Sequence, residues 1–386
     1  MKLAACWFVA LIIICVSAGN LASQSVSIPM STADRLLAAG WWPTKGSEPR
    51  ERYVGSAACA TCHSRIAEMQ KTTPMASASM PATAAAFARS GIIGPLAFSI
   101  RAYTYQLTQT ATALVYSASD GAQSVSTPLG WVFGTGHFGQ TYVYSQDGTY
   151  YESTLSYYPA IHGLDFTTGH SRTAPASLAK ALGEPQSPDA IHACFGCNSS
   201  VSTTSNRFDP SRATPGVTCE SCHGPGAQHV AAMTIANENQ KASFAFNPAS
   251  LNPADSVDFC GACHRTRVDV IQTGIRGIIT VRFPAYRLQA SRCWGSNGDS
   301  RVTCVACHDP HHALVTDAAS YDKNCLSCHR LSAGSKLVKD HPGAACPVAQ
   351  KGCVTCHMPK VYVPEMHADF TDHKIAVHRR GNPFKE

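Results

Sequence analysis

Six times the chain reads Cys-x-x-Cys-His, at Cys59/Cys62/His63, Cys219/Cys222/His223, Cys260/Cys263/His264, Cys304/Cys307/His308, Cys325/Cys328/His329 and Cys353/Cys356/His357. Nothing else in the sequence constrains the fold as strongly. Twelve of the eighteen cysteines stand in these units, and a chain of 386 residues is too long to be a small disulfide-stapled scaffold. Two thiols three residues apart, followed at once by an imidazole, form the unit that attaches c-type haem. The thiols add to the two vinyl groups and the histidine then reaches the iron from the same side. Zinc ribbons are the competing assignment. They need paired Cys-x-x-Cys units closing four-ligand sites, and they have no use for a histidine after every pair.

Each iron in such a chain asks for a second axial ligand. Eleven histidines lie outside the motifs: His137, His162, His170, His192, His229, His311, His312, His341, His367, His373 and His378. Position after a motif or in the tail selects His229, His311, His341, His367 and His373 as distal candidates. Bis-histidine ligation fills both axial positions and gives low reduction potentials suited to electron transfer. Met75, after the first motif, is an alternative axial ligand, though packing is the expected role for it. The last five motifs fall between Cys219 and His357, so the haems must lie close together, and haem has to supply most of the core. The first motif, distant in sequence, either folds back onto the array or forms its entry or exit.

A seventh pair, Cys194-Phe195-Gly196-Cys197, is followed by Asn198 instead of histidine. Loss of the haem, leaving a disulfide or two thiols, is the expectation. A haem ligated by another residue such as His192, or one left with an open iron, are the alternatives. The cofactor expectation is therefore six haem c groups, with the seventh position left open. Cys293 and Cys346 stand outside any pair and are expected to form a disulfide in an oxidising compartment.

The N-terminus reads as an export signal, with Lys2, an apolar run from Leu3 to Val16 and a small-residue cleavage site at Val16-Ser17-Ala18. The run is short for a membrane span. An exported protein follows, periplasmic or extracellular, with membrane association permitted but not required. The formal charge is +6, but six haems would add roughly twelve negative charges as ionised propionates, so the excess of Lys and Arg gives no reason to expect nucleic acid as a partner.

The organisation expected is a signal peptide (1–18), an N-terminal segment with the first haem (19–95), a small β-rich insertion (96–170) and a multihaem domain (171–386). A short helix is expected in the Ala-rich stretch 81–93. Within the insertion, Tyr103, Tyr105 and Leu107 alternate with Thr104, Gln106 and Thr108, the period of a half-buried strand. Asp120-Gly121 and Asp147-Gly148 mark hairpins, so four to six antiparallel strands are expected, with the tyrosines as packing residues. The fold class is α+β with little regular secondary structure: short helices and loops around haem, plus that sheet.

The chain resembles bacterial multihaem cytochromes of the cytochrome c554-like group, some relatives of which are fused to tetratricopeptide repeats. The resemblance rests on Tyr53-Val54-Gly55-Ser56, on Cys219 to Gly226 with His229 following, on His308-Asp309-Pro310-His311, on His357-Met358-Pro359-Lys360 and on Thr371-Asp372-His373. It implies distal roles for His229 and His311, and extends less firmly to His367 and His373. Relatives commonly have a complete motif where this chain has Cys194 to Asn198. Taken together, these features imply an electron carrier whose partners are other cytochromes or a quinol-linked or terminal reductase. Two alternatives stand beside it: a reductase or oxidase of a small nitrogen or sulfur compound, and a subunit of an extracellular cytochrome filament.

Overall fold

The computed structural model describes residues 46–92, 94–234, 245–295, 301–329, 346, 349, 351–378 and 381–386. The expected signal peptide and His341 lie outside the described residues.

Eleven strands build the front of the molecule: β1 (Ser79–Pro81), β2 (Leu96–Ile100), β3 (Tyr103–Gln109), β4 (Leu114–Ser119), β5 (Ser124–Pro128), β6 (Trp131–Phe133), β7 (Thr141–Gln146), β8 (Thr149–Ser153), β9 (Leu155–Tyr158), β10 (Gly163–Phe166) and β11 (Gly183–Pro185). The expectation of one sheet with four to six strands is corrected. A four-stranded meander runs in the order β2-β3-β4-β5, a five-stranded sheet in the order β1-β6-β7-β8-β11, and β9 pairs with β10. Sequence alternation could not reveal the recruitment of β1 and β11, because three-residue strands are too short to show a period.

The turns form for local reasons. Asp147 and Gly148 have φ of 50° and 78°, the two positive values that a two-residue hairpin matching the twist of its strands requires. At Asp120 the loop is longer, and the carboxylate Oδ1 accepts from the N–H groups of Ala122 and Gln123 at 2.9 and 2.8 Å, an Asx turn.

The five-stranded sheet divides two apolar clusters. On one face Val132, Tyr142 and Tyr144 join Tyr105, Leu107, Leu114 and Tyr116 of the four-stranded sheet, all buried. Tyr144 stacks on Tyr151 with centroids 5.1 Å apart, so these tyrosines do pack as cross-strand pairs. The other face presents Trp131, Phe133 and Val143, which pack on Ile191 and Phe195 of the helix Pro188–Asn198. That helix carries Cys194 and Cys197, so the sheet is the wall against which the seventh pair stands.

Beyond it regular structure is short, and the Ala-rich stretch gives the helix Ala84–Arg89. Among the described residues the longest helix of the C-terminal half is Pro253–His264, started by the Asn252 cap and ending in a motif. Among the described residues no helix is long and apolar enough to cross a membrane.

Candidate functional site

The Cys-x-x-Cys-His units share one local shape. The histidine N–H bonds back to the carbonyl of the first cysteine in His63 to Cys59, His308 to Cys304 and His329 to Cys325, at 2.9, 2.9 and 3.0 Å. That single turn brings both thiols and the imidazole to one side of the backbone, as a group attached at three points requires.

Three motif histidines face a histidine from elsewhere. His63 and His229 have ring centroids 6.4 Å apart with planes 20° from parallel. His223 and His311 are 6.0 Å apart at 7°, and His308 and His373 are 6.2 Å apart at 46°. An imidazole–metal bond of about 2.0 Å, with the centroid about 1.1 Å behind the nitrogen, puts two rings on opposite sides of one metal at about 6.2 Å. All three pairs have that spacing. His229, His311 and His373, drawn from the sequence as distal candidates, are the partners in these pairs.

The second ring nitrogens fit the same role. Nδ1 of His223 donates to the Phe246 carbonyl at 2.9 Å, that of His357 to Ala376 at 2.9 Å and that of His373 to Thr371 at 3.0 Å. A carbonyl only accepts, so Nδ1 carries the proton and Nε2 keeps its lone pair for a metal. Desolvation lowers the pKa of His264 and His308 and brings that of His373 to about 4, which keeps these rings neutral, as ligands must be. A cavity of ≈ 380 Å³ is lined by Cys307, His308, Pro310 and Tyr321.

Sulfur contacts join the motifs in chain order. Cys59 lies beside Cys219, Cys304 beside Cys260 and Cys353 beside Cys325. Each contact links the first cysteines of two motifs. Cys222 lies near enough to Cys260 to feel its charge, and Cys325 is placed likewise beside Cys307. The first motif therefore folds back onto the second. Glu220, buried inside the second motif, fastens it there: Oε1 accepts from Val54 and Gly226 N–H at 2.9 and 2.8 Å, and Oε2 from Gly55 at 2.9 Å. Gly226 has no room for a side chain, since a Cβ would come within 2.8 Å of Val54.

The attachment cysteines are not all enclosed. Cys62, Cys263, Cys307, Cys328 and Cys356, the second cysteines of five motifs, are exposed, whereas the first cysteine of every motif and Cys222 are half-buried. The reason lies in the single turn of the motif. The first cysteine packs against a neighbouring motif, and the second, one turn further on, faces away from that contact.

The loop of His373 is fixed from below. Asp372 is fully buried and meets Arg287, also buried, through two bonds of 2.8 and 2.6 Å. Ser291 Oγ donates to the His373 carbonyl at 3.1 Å and accepts from Ile375 N–H at 2.8 Å.

Other expectations fare differently. His367 does not face a motif histidine. Its Nε2 donates to Asp165 Oδ2 at 2.7 Å, and its ring lies edge-on to Tyr158. Asp165 also takes a bidentate contact from Arg172 at 2.9 Å, so an acid-rich neighbour claimed this histidine before any metal could. Met75 is not needed opposite His63, where His229 stands. The disulfide expected between Cys293 and Cys346 is not formed; Cys293 sits near Cys307 and Cys328. His192, weighed as a ligand for the seventh pair, turns to Thr203 Oγ1 at 2.9 Å because, two residues from Cys194, it lies on the far side of the helix.

Two histidines that position in sequence did not single out have unusual surroundings. Both ring nitrogens of His378 and Nδ1 of His170 are buried without a hydrogen-bond partner. Buried polar atoms are seldom left so, and spacing alone carried no signal for either. Among the described residues, no three or more His, Cys, Asp or Glu side chains converge as a metal-holding group, so the thiol pairs do not close into the four-ligand clusters of zinc ribbons. The donor set fits haem: two thiols and one imidazole per motif, with a second imidazole opposite in three of them.

Residues 156–224 match the family model described as cytochrome c554 and c-prime; that segment holds both the Cys194–Asn198 pair and the second motif. Among solved structures, the crystal structure of the outer cell wall cytochrome OcwA aligns with a TM-score of 0.46 at 14% identity, covering 84% of this chain and 79% of that one. No curated protein matches the sequence.

Proposed function

We propose that the chain is a multihaem c-type cytochrome of the cytochrome c554-like group, whose family model matches residues 156–224, and an exported electron carrier holding six haem c groups, one per Cys-x-x-Cys-His motif, most of them bis-histidine ligated. The observation that carries this reading is the set of three imidazole pairs, 6.0 to 6.4 Å apart, each joining a motif histidine to one distant in sequence. When bound, haem iron supplies one-electron chemistry between its ferric and ferrous states.

The residues of the chain do the rest. The thiols tether each haem, and Nδ1 bonds to carbonyls hold the imidazoles in the ligating tautomer. Contacts from Cys59 to Cys219, Cys260 to Cys304 and Cys325 to Cys353 support three neighbouring pairs, and the placements of Cys222 by Cys260 and of Cys307 by Cys325 support their joining into one series from the first motif to the sixth. An axially saturated iron exchanges electrons without binding substrate, so redox proteins are the proposed partners. Export rests on the charged and apolar N-terminal run.

Anaerobic redox titration of the purified holoprotein tests the reading. Reversible uptake of at least six electrons per chain, with low-spin haem absorption, is expected; a chain without haem absorption, or one taking up fewer electrons, contradicts it.

A further inference from the structure

The helix Pro188–Asn198 is built like the helix Pro253–His264. Each opens on a capping side chain, with Ser187 accepting from Ala190 N–H at 3.1 Å and Asn252 from Asp255 N–H at 2.9 Å. Each has proline first and an aspartate in the opening turn, and each ends on a Cys-x-x-Cys pair. The two helices touch, and where they do Cys197 Sγ donates to the Ala262 carbonyl at 3.6 Å, with the Cys263 thiol beside it. Such contacts elsewhere in this molecule join thiols of two haem motifs. Cys194 lies against Phe195 and the sheet face, an apolar wall. Neither cysteine of the pair is in a disulfide.

The same sheet face supplies an imidazole. Val143, Glu152 and Glu184 are cross-strand neighbours in register on β7, β8 and β11, and side chains directly opposite share a face. Glu152 Oε2 accepts from His170 Nε2 at 2.9 Å. The His170 side chain is only 6% exposed. Since a carboxylate only accepts, Nε2 carries a proton, while the buried Nδ1 makes no hydrogen bond and lies 3.9 Å from Glu184 Oε1. A histidine oriented by a carboxylate, with its other nitrogen outside any hydrogen bond, is an arrangement found in metal ligands. Glu152 is also close enough to act on the Cys194 thiol, whose pKa burial, chiefly, and then this carboxylate push up to about 12.

We propose that Cys194 and Cys197 carry a seventh covalent haem, with His170 as its axial ligand and the side of Asn198 left open. The Asn198 side chain cannot serve, because its Nδ2 donates to the Cys194 carbonyl at 2.9 Å. The proposal rests on the reading of the chain as a haem protein and assigns this position differently from the six complete motifs. Attachment adds each S–H across a vinyl double bond: a C–S bond forms, the π bond breaks and the hydrogen goes to the neighbouring vinyl carbon. Nothing leaves, so each haem adds its whole mass. One five-coordinate iron beside the third motif would bind a small ligand such as carbon monoxide when ferrous or cyanide when ferric.

Intact mass of the denatured holoprotein tests this. Seven haem masses are expected, falling to six in the C194S/C197S double variant; six in the unaltered protein overturn the proposal, and fewer than six strike the six-haem reading instead. If the double variant does not fold, the unaltered protein decides alone. Carbon monoxide added to the reduced protein should perturb one haem in seven. His170→Ala should keep seven haem masses but alter the spectrum of the carbon-monoxide-binding haem, and an unchanged spectrum overturns the assignment of His170.

Discussion

His223 and His311 lie with their rings 7° from parallel and their centroids 6.0 Å apart, although 87 residues of chain separate them. The His223 ring is oriented by the Phe246 carbonyl, and His311 sits in a turn closed by its own N–H to Asp309 Oδ1 at 2.9 Å. Removing the distal ring should free one axial position without touching the thioethers. His311→Ala, His229→Ala and His373→Ala are each expected to convert one haem from low to high spin, read in the ferric electronic and paramagnetic resonance spectra, with the haem count unchanged. His367→Ala should convert none, since Asp165 holds that ring.

Arg287 and Asp372 test whether the protein under His373 sets its ligation. Both are buried, and removing one partner of a buried ion pair costs about 3–5 kcal/mol. Arg287→Ala should therefore lower the melting temperature and also loosen His373, giving a high-spin fraction for the fourth motif alone. A variant that melts early but stays fully low-spin would show that the pair stabilises the tail without positioning the ligand.

Glu220 joins the first and second motifs. Glu220→Ala leaves the N–H groups of Val54, Gly55 and Gly226 without their acceptor, a loss on the order of 3 kcal/mol. Since Gly226 directly precedes the helix Ala227–Thr234 that bears His229, thermal unfolding should come earlier, and the ligation by His229 should weaken with it. Unchanged melting would mean that the Cys59–Cys219 contact holds the first motif by itself.

Asp165 gives a pH dependence. Desolvation raises its pKa, but hydrogen bonds from Arg172, Phe166 and His367 outweigh that and lower it overall. A carboxyl whose folded pKa is depressed stabilises fully above its unfolded value of about 3.9 and loses that contribution as pH falls through the folded value. The link between β10 and the hairpin of Lys360–Val363 and Ala368–Thr371 should thus persist at neutral pH and fail below about pH 4. Asp165→Asn should make melting at pH 7 resemble that of the unaltered protein in acid; melting that is equal at pH 7 would show that the contact contributes nothing.

The six motifs were legible because attachment chemistry demands adjacent residues, and the hairpins at Asp120-Gly121 and Asp147-Gly148 because turns are local. His229 and His311 were legible through the turns that follow their motifs. What escaped depends on residues distant in sequence. The strands β1 and β11 pair with partners that no periodicity names, and His367 and His373, alike as tail histidines, are told apart only by Asp165 beside one and His308 beside the other. His170 is marked only by the carboxylate that a cross-strand register puts next to it.

The most direct test of the central claim, a chain holding one covalent haem per complete motif, is the intact mass of the purified holoprotein under denaturing conditions. The account predicts at least six haem masses above the polypeptide. A mass matching the bare chain, or one carrying fewer than six, would contradict it.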